Sequence, residues 1–350
     1  MSACTVSGVA VRAVATAVPA RMERVQDASE RFGAEEVAKI AASSGIEARV
    51  VADPSCCASD LCQASAERLL AELGWDRSTI SALVFVSQTP DYILPATSCL
   101  LQQRLSLPST CAAFDVNLGC SGYVYGLWIA ASLVAAGQHR VLLLVGDTIN
   151  RLVSPLDRAT ALLFGDAGSA TALEADPDAG PLHFVLGTNG AGGGNLVVPA
   201  GGARQPHTSE TSVRKERANG NMRADDDLSM AGAEIFAFTL KEVPPLVDQV
   251  LAMAGWTREE VDHVVFHQAN RFILQHLARK LKLDERQVVL ALQNYGNTVS
   301  ASIPLALSSA VPTGGRKKLI LAGFGVGYSW GALAFSPNEL LLIPPVTLTR

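Results

Sequence analysis

The sequence predicts an α/β protein assembled from two related halves. Three observations carry that reading. One block of sequence returns: 69–86 reads LLAELGWDRSTISALVFV and 250–267 reads VLAMAGWTREEVDHVVFH, at a constant offset of 181 residues. Apolar strand-like runs alternate with helical periodicities along most of the chain, the order that gives βαβ units. Of the 350 residues, 49% are apolar and 17% charged, so a large core is available and general disorder is excluded.

Within the repeat, Ala71/Ala252, Gly74/Gly255, Trp75/Trp256, Arg77/Arg258, Val84/Val265 and Phe85/Phe266 are identical pairs. Each copy reads as a helix stopped at Gly-Trp, a short polar turn and then a strand. The first copy is followed by AAFDVNLGCSGYVYGLWIAASLVAAGQHRVLLLVGD (112–147), the second by VVLALQNYGNTVSASIPLALSSAVPTGGRKKLILAGFG (288–325). Both predict a strand, a small-residue loop, a helix, a Gly-containing turn and a buried strand. GDAGSATALEA and GVGYSWGALAF then each give a Gly-rich entry into an apolar strand. FDVN, VLLLVG and KKLILAG are near-continuous apolar runs, as expected of mostly parallel strands covered on both faces. The expected division is 1–178 and 179–350.

The uncharged run Gly122 to Ala136 is shorter than the roughly 20 residues of a membrane span and reads as a buried helix. The segment 189–230, rich in Gly, Ser and charge, reads as a surface excursion. Its GAGGGN puts Asn195 at the last glycine position of GxGxxG and opens no helix, which rejects a dinucleotide site. A formal charge of −5 leaves no footprint of a nucleic-acid binder. The start MSACTVSGVA has no charged n-region and no long apolar run, so a cytoplasmic location is expected. Cysteines 4, 56, 57, 62, 99, 111 and 120 are odd in number; Cys56, Cys57 and Cys62 lack CxxC spacing, so free thiols and no metal site are expected.

Cys120 follows the strand expected at 112–116 and opens the apolar helix. A thiol at a helix N-terminus meets the positive end of the dipole and free N–H groups, which lower its pKa. Gly119, Ser121 and Gly122 leave room for a substrate. His267 stands at the carboxyl end of VDHVVFH, where α/β sheets build their sites, while its repeat counterpart is Val86. Asn297 lies in the second-half loop that matches the Cys120 loop. A duplicated fold brings those loops face to face across a pseudo-dyad. The loop 322–331, AGFGVGYSWG, supplies amide donors that complete an oxyanion hole with the Cys120 N–H.

The stretches DVNLGCSGYVYGL, SPLDRATALLFGDAGSA, MAGAEIF, FHQAN, YGNTVSASIPLAL and GFGVGYSWGA, in this order, resemble the thiolase-fold condensing enzymes, and most closely β-ketoacyl-ACP synthase III. The resemblance implies a thiolase-like five-layer αβαβα fold of two duplicated halves, and a homodimer. It implies Cys120 as nucleophile with His267 and Asn297 as its partners. Cys120 would take an acyl group, and a decarboxylating malonyl thioester would then attack it in a Claisen condensation. The oxyanion hole would be the N–H groups of Cys120 and the Gly325–Val326 turn. Arg158, Gln268 and Asn270 would serve coenzyme A and its pantetheine. Arg271, Arg279, Lys280 and Lys282 would receive an acidic acyl carrier protein. Leu94, with Tyr92 and Ile93, would line or gate the acyl pocket across the dimer. The substrates would be acyl-CoA and malonyl-ACP or malonyl-CoA, with no permanently bound cofactor, no metal, no nucleic acid and no membrane insertion.

Two departures point to a specialised acyl donor. Lys39 and Ser43 stand where fatty-acid-initiating relatives carry a Trp and an Arg that sandwich the adenine. Arg271 follows Asn270 directly, with Phe272 at the usual Arg position. Rivals are a thiolase, an elongating synthase, a papain-like Cys-His-Asn hydrolase, a silent partner of a second synthase, and a thiolase-fold acyltransferase using an alcohol or amine acceptor. The absence of any Cys after Cys120 excludes the first, and Asn297 disfavours the second. The acyltransferase is the runner-up, separable by CO₂ release.

Overall fold

The structure, a computed structural model, describes residues 1–349. In chain order the main elements are β1 (Ser2–Val6), β2 (Val9–Pro19), α1 (Ala34–Ser44), α2 (Ala58–Leu73), β3 (Ala82–Val86), α3 (Thr97–Arg104), β4 (Ala112–Val116), α4 (Gly122–Ala135), β5 (Arg140–Asp147), β6 (Ala167–Ala175) and β7 (Leu182–Thr188). They continue with α5 (Gly232–Ala254), β8 (His263–Phe266), α6 (Arg271–Leu281), α7 (Ser302–Ala310), β9 (Leu319–Gly325), β10 (Ser329–Phe335), β11 (Leu341–Leu342) and β12 (Val346–Leu348).

The strands form two main sheets. The first runs β11-β2-β6-β5-β3-β4, with β12 also on β2; the second runs β1-β7-β10-β9-β8. The core of each follows one pattern. β3 pairs parallel with β5, which pairs antiparallel with β6, which pairs antiparallel with β2. β8 pairs parallel with β9, which pairs antiparallel with β10, which pairs antiparallel with β7. The sheets are therefore mixed rather than mostly parallel. The second-half strand expected near 288 shrinks to one parallel bridge between Val264 and Val288. A cut at 178/179 also leaves each sheet with borrowed strands: β1 lies in the second sheet, β11 and β12 in the first.

The layers follow from which face of each helix is apolar. α4 is buried nearly all round because it lies between the sheets, packed with α7 against Val84, Val86, Leu143, Leu321 and Leu333. Gly126 permits that approach: a Cβ there would lie 2.8 Å from Leu143 and 3.1 Å from Val86. α2 covers the outer face of the first sheet, and α5 with α6 that of the second. The order α, β, α, β, α gives five layers.

The Gly-Trp repeat is a helix stop used twice. Gly74 (φ 62°) and Gly255 (φ 67°) are left-handed C-caps, with N–H groups donating to Ala71 and Leu70 and to Ala252 and Leu251. Trp75 N–H then donates to Leu70 O, and Trp256 N–H to Leu251 O. A cation covers each indole: Arg140, the first residue of β5, at 4.5 Å and Lys318, the residue before β9, at 5.3 Å. Ser81 N–H donates to Arg140 O as Asp262 N–H donates to Lys318 O.

The segment 189–230 is more than a surface excursion. Two small ribbons, Leu196–Val197 with Ser229–Met230 and Lys215–Glu216 with Met222–Arg223, fold it back on the molecule. Leu196, Leu228 and Met230 thereby pack into the apolar cluster that holds Cys120. Apolar side chains spaced among the charges were enough to pull it inward.

Candidate active site

Cys120 stands in the turn between β4 and α4, two residues before the first helical residue, and is 6% exposed. The end of β9 presses on it. A Cβ at Gly325 (φ 159°) would lie 2.7 Å from Cys120 Cβ and 2.8 Å from Sγ; one at Gly323 would lie 2.7 Å from Cys120 O. Only glycine fits either place. Ser329 pins the following turn, with its Oγ 2.6 Å from Ser121 Oγ and donating to Val326 O at 2.9 Å.

The sequence argument expects a lowered thiol pKa, and the structure corrects it. Burial pushes the Cys120 thiol up to about 12, and the Asp147 carboxylate adds to the rise; N–H groups of Val326 and of Cys120 itself bond the sulfur and pull the other way. At neutral pH the Cys120 side chain is therefore protonated. The same two N–H groups are the expected oxyanion-hole donors.

His267 lies immediately after β8, 2% exposed. Its Nδ1 is 2.7 Å from Ser302 Oγ, which also accepts the Gln268 N–H at 3.3 Å. Phe324 meets the imidazole edge to face, at 5.8 Å and 88°. Burial pushes His267 down to about 3, only partly offset by a backbone bond at Val299, so the ring is neutral. The repeat explains the placing. Val86, at the end of β3, abuts Gly122, the first residue of α4; His267, at the end of β8, abuts Ser302, the first residue of α7.

Asn297 is 4% exposed and tied to both halves. Its N–H donates to Leu163 O (2.9 Å), and its carbonyl accepts from Gly165 N–H (3.0 Å). Its Oδ1 accepts from Val299 N–H (3.0 Å), and its Nδ2 donates to Ala269 O (3.5 Å), beside His267. A Cβ at Gly165 would lie 1.9 Å from Tyr295 O, so the FGD glycine allows the halves to meet here. Val299 and Phe164, flanking Asn297, share the apolar cluster of Cys120, with Ile149 and Leu228.

The remaining expected residues divide. Arg158, with Ser43, Leu163, Met230, Asn270 and Phe272, lines a cavity of 300 Å³. Its guanidinium donates to Asn219 O at 3.1 Å and faces Glu36 at 3.9 Å. Asn270 caps α6, accepting the Ile273 N–H at 2.8 Å. The buried Gln268 carboxamide donates to Phe266 O and Val289 O and accepts from Ala291 N–H, so it supports the loop around His267. Arg271 donates to Ala42 O at 2.6 Å and packs on Gly45, whereas Arg279, Lys280 and Lys282 are exposed. Lys39 pairs with Glu35 at 2.8 Å on the exposed face of α1. Tyr92, Ile93 and Leu94 are 61%, 96% and 80% exposed, so Leu94 lines no pocket within one chain.

Sequence reasoning missed Asp147. Fully buried at the end of β5, it accepts from Gln88 N–H (2.7 Å), Ser87 Oγ (3.2 Å), and Ser300 N–H (3.3 Å) and hydroxyl. Burial pushes its pKa up to about 6 against those bonds. A charge closing the run VLLLVGD was the available signal.

Comparisons with known proteins agree with this geometry. Residues 114–190 match the family described as 3-oxoacyl-[acyl-carrier-protein (ACP)] synthase III, and residues 251–336 match its C-terminal counterpart. Over 316 residues the chain is 35% identical to the β-ketoacyl-[acyl-carrier-protein] synthase III of Caldanaerobacter subterraneus subsp. tengcongensis, covering 89% of this chain and 90% of that protein. Identity to the Neisseria gonorrhoeae protein of that name is 35% over 298 residues, 84% of this chain and 88% of that one. Among solved structures, a 3-oxoacyl-(acyl-carrier protein) synthase from Burkholderia xenovorans LB400 is 42% identical with a TM-score of 0.94, covering 99% of both chains. The priming β-ketosynthase of the R1128 polyketide pathway is 26% identical with a TM-score of 0.81, covering 95% of this chain and 97% of that one. With the duplicated sheets, the buried thiol and the glycine turn against it, these likenesses show that the chain belongs to the β-ketoacyl-ACP synthase III family of acyltransferases.

Proposed function

We propose that this acyltransferase loads an acyl group on Cys120 and extends it by decarboxylative condensation, with His267 and Asn297 serving the second step. The observation that carries the reading is the set of strand ends: Gly325 against the Cys120 sulfur, with neutral His267 and Asn297 on adjoining loops. The Cys120 sulfur attacks the carbonyl of an acyl-CoA. The bond to the donor sulfur breaks, and that sulfur leaves with the proton Cys120 gives up. The Cys120 and Val326 N–H groups hold the tetrahedral oxyanion. A malonyl thioester then loses CO₂, and its bonding pair becomes an enolate whose oxygen accepts from His267 Nε2–H and Asn297 Nδ2–H. The enolate carbon attacks the acyl carbonyl, and Cys120 sulfur departs and takes a proton. No resident cofactor is required.

The donor arm enters past Arg158 and Asn270, and the exposed Arg279, Lys280 and Lys282 meet the acyl carrier protein, with Arg271 at the edge of that surface. The duplicated units are 1–178 and 179–350, with terminal strands exchanged. A homodimer is supported by β4, an edge strand on which no residue is fully buried, and by the apolar trio at 92–94. Leu94 then lines the partner's acyl pocket. Ile93→Asp is expected to shift sedimentation to the monomer; an unchanged dimer would remove this loop from the interface. No helix among the described residues is long and apolar enough to cross a membrane, and its free thiols suit the cytoplasm.

Intact-mass analysis of Cys120 with acyl-CoA, paired with CO₂ release from a malonyl thioester, tests the reading. Cys120→Ala is expected to abolish both. Asn297→Ala is expected to load normally and lose condensation. Acyl transfer to an alcohol or amine without CO₂ release would overturn it.

A further inference from the structure

We propose that Gln88 selects the acyl donor, and that the chain accepted by Cys120 carries a neutral hydroxyl or carbonyl oxygen within its first few carbons. This rests on the reading of Cys120 as the acyl-accepting nucleophile and deepens it.

Gln88 begins the loop that runs from β3 to Tyr92, Ile93 and Leu94. Its main chain is fixed: the N–H donates to buried Asp147 Oδ1, and the flanking Ser87 and Thr89 hydroxyls approach the same oxygen at 3.2 and 3.4 Å. Its side chain reaches the nucleophile's turn. A Cβ at Gly119 would lie 2.2 Å from Gln88 Oε1 and 3.0 Å from Val326 Cγ1. The carboxamide and the Val326 side chain therefore both close on Gly119, the residue before the thiol. Adjacent Cα atoms are about 3.8 Å apart, so the carboxamide lies within reach of the first carbons of a Cys120-bound acyl group.

Apolar side chains cluster on Cys120, among them Ile149, Phe164, Leu228 and Val299, and the polar His267 and Asn297 are the groups assigned to the second step. Among the described residues no group hydrogen-bonds the Gln88 carboxamide, although Gln88 is half-buried. A carboxamide offers two donors and a carbonyl oxygen. A purely alkyl chain would desolvate these groups and return nothing; a hydroxyl or keto oxygen would pair with them. The Asp147 carboxylate behind the loop disfavours a second anion, which makes the oxygen a neutral one. Sites that hydrogen-bond a substrate oxygen discriminate strongly against the analogue without it.

The test loads the full chain with matched pairs, butyryl-CoA against 3-hydroxybutyryl-CoA and pentanoyl-CoA against 4-hydroxypentanoyl-CoA. Mass added to Cys120 is followed over time. The oxygenated member of at least one pair is expected to load about tenfold faster or more. Gln88→Leu, or Gln88→Met where the Leu variant does not fold, is expected to collapse that ratio. Equal loading by wild type within both pairs, or a ratio untouched by the substitution, would overturn the inference while leaving the condensing reading intact. Failure of every thioester to label Cys120 would overturn the condensing reading first, and this inference with it.

Discussion

Ser302 holds its hydroxyl 2.7 Å from His267 Nδ1 while its oxygen accepts the Gln268 N–H. A Ser302 hydroxyl that donates to Nδ1 leaves the ring proton on Nε2, the tautomer that donates to a thioester oxygen. Ser302→Ala is expected to slow CO₂ release on the order of 10²-fold and to change acyl loading far less, with Ser302→Thr recovering most of the loss. Equal losses in both steps would make Ser302 structural only. The places of Cys120, His267 and Asn297 at buried strand ends and strand-to-helix loops were legible because Cys120 and His267 interrupt apolar patterns there and Asn297 lies in the loop that matches the Cys120 loop in the repeat. The acidity of the thiol was not legible, because the dipole is visible in sequence and the burial that outweighs it is not. Ser302, Ser329 and Asp147 were missed for a related reason. They are ordinary polar residues whose partners lie 35, 208 and 153 positions away along the chain.

At the scale of elements, the repeat was legible because its signals are local. A glycine needed at a left-handed cap and a Trp after it leave the same mark twice. Both caps are open around the glycine, with nothing within 4 Å of an added Cβ, so only the backbone conformation resists a side chain. Gly74→Ala and Gly255→Ala are thus expected to cost about 1 kcal/mol each, and nearly the same amount. Urea unfolding midpoints check this; a difference of severalfold would mean that the two caps are not equivalent. The exchange of β1, β11 and β12 between sheets was not legible. A short apolar strand carries no mark of which sheet edge it will join, and these terminal strands pair with strands of the opposite half. The strand expected near 288 failed for the converse reason: VVLALQ has the right pattern, but it makes a single bridge, with Gln287 O and Val289 N–H both bonding Val264.

At the scale of the whole molecule, two buried titrating groups stand on the seam between halves and oppose each other in acid. His267 titrates near 3 in the fold against 6.5 when unfolded. The unfolded chain therefore takes its proton first, and the stability this group gives above pH 6.5 is lost as pH falls towards 3. Asp147 titrates near 6 in the fold against 3.8 when unfolded. The fold takes that proton first, so the contribution is full below 3.8 and is lost as pH rises through 6. Between pH 6 and 4 the slopes are opposite, each at most about 1.4 kcal/mol per pH unit, and they largely cancel. Asp147→Asn removes one of the pair. Exposed carboxylates titrate alike in both proteins and drop out of the comparison. The variant is therefore expected to lose about 2 kcal/mol relative to wild type on going from pH 6 to 4, read as a thermal midpoint falling more steeply in acid. Parallel midpoint curves would show that Asp147 stays ionised across this range, held so by Ser300, Gln88 and Ser87 despite its burial.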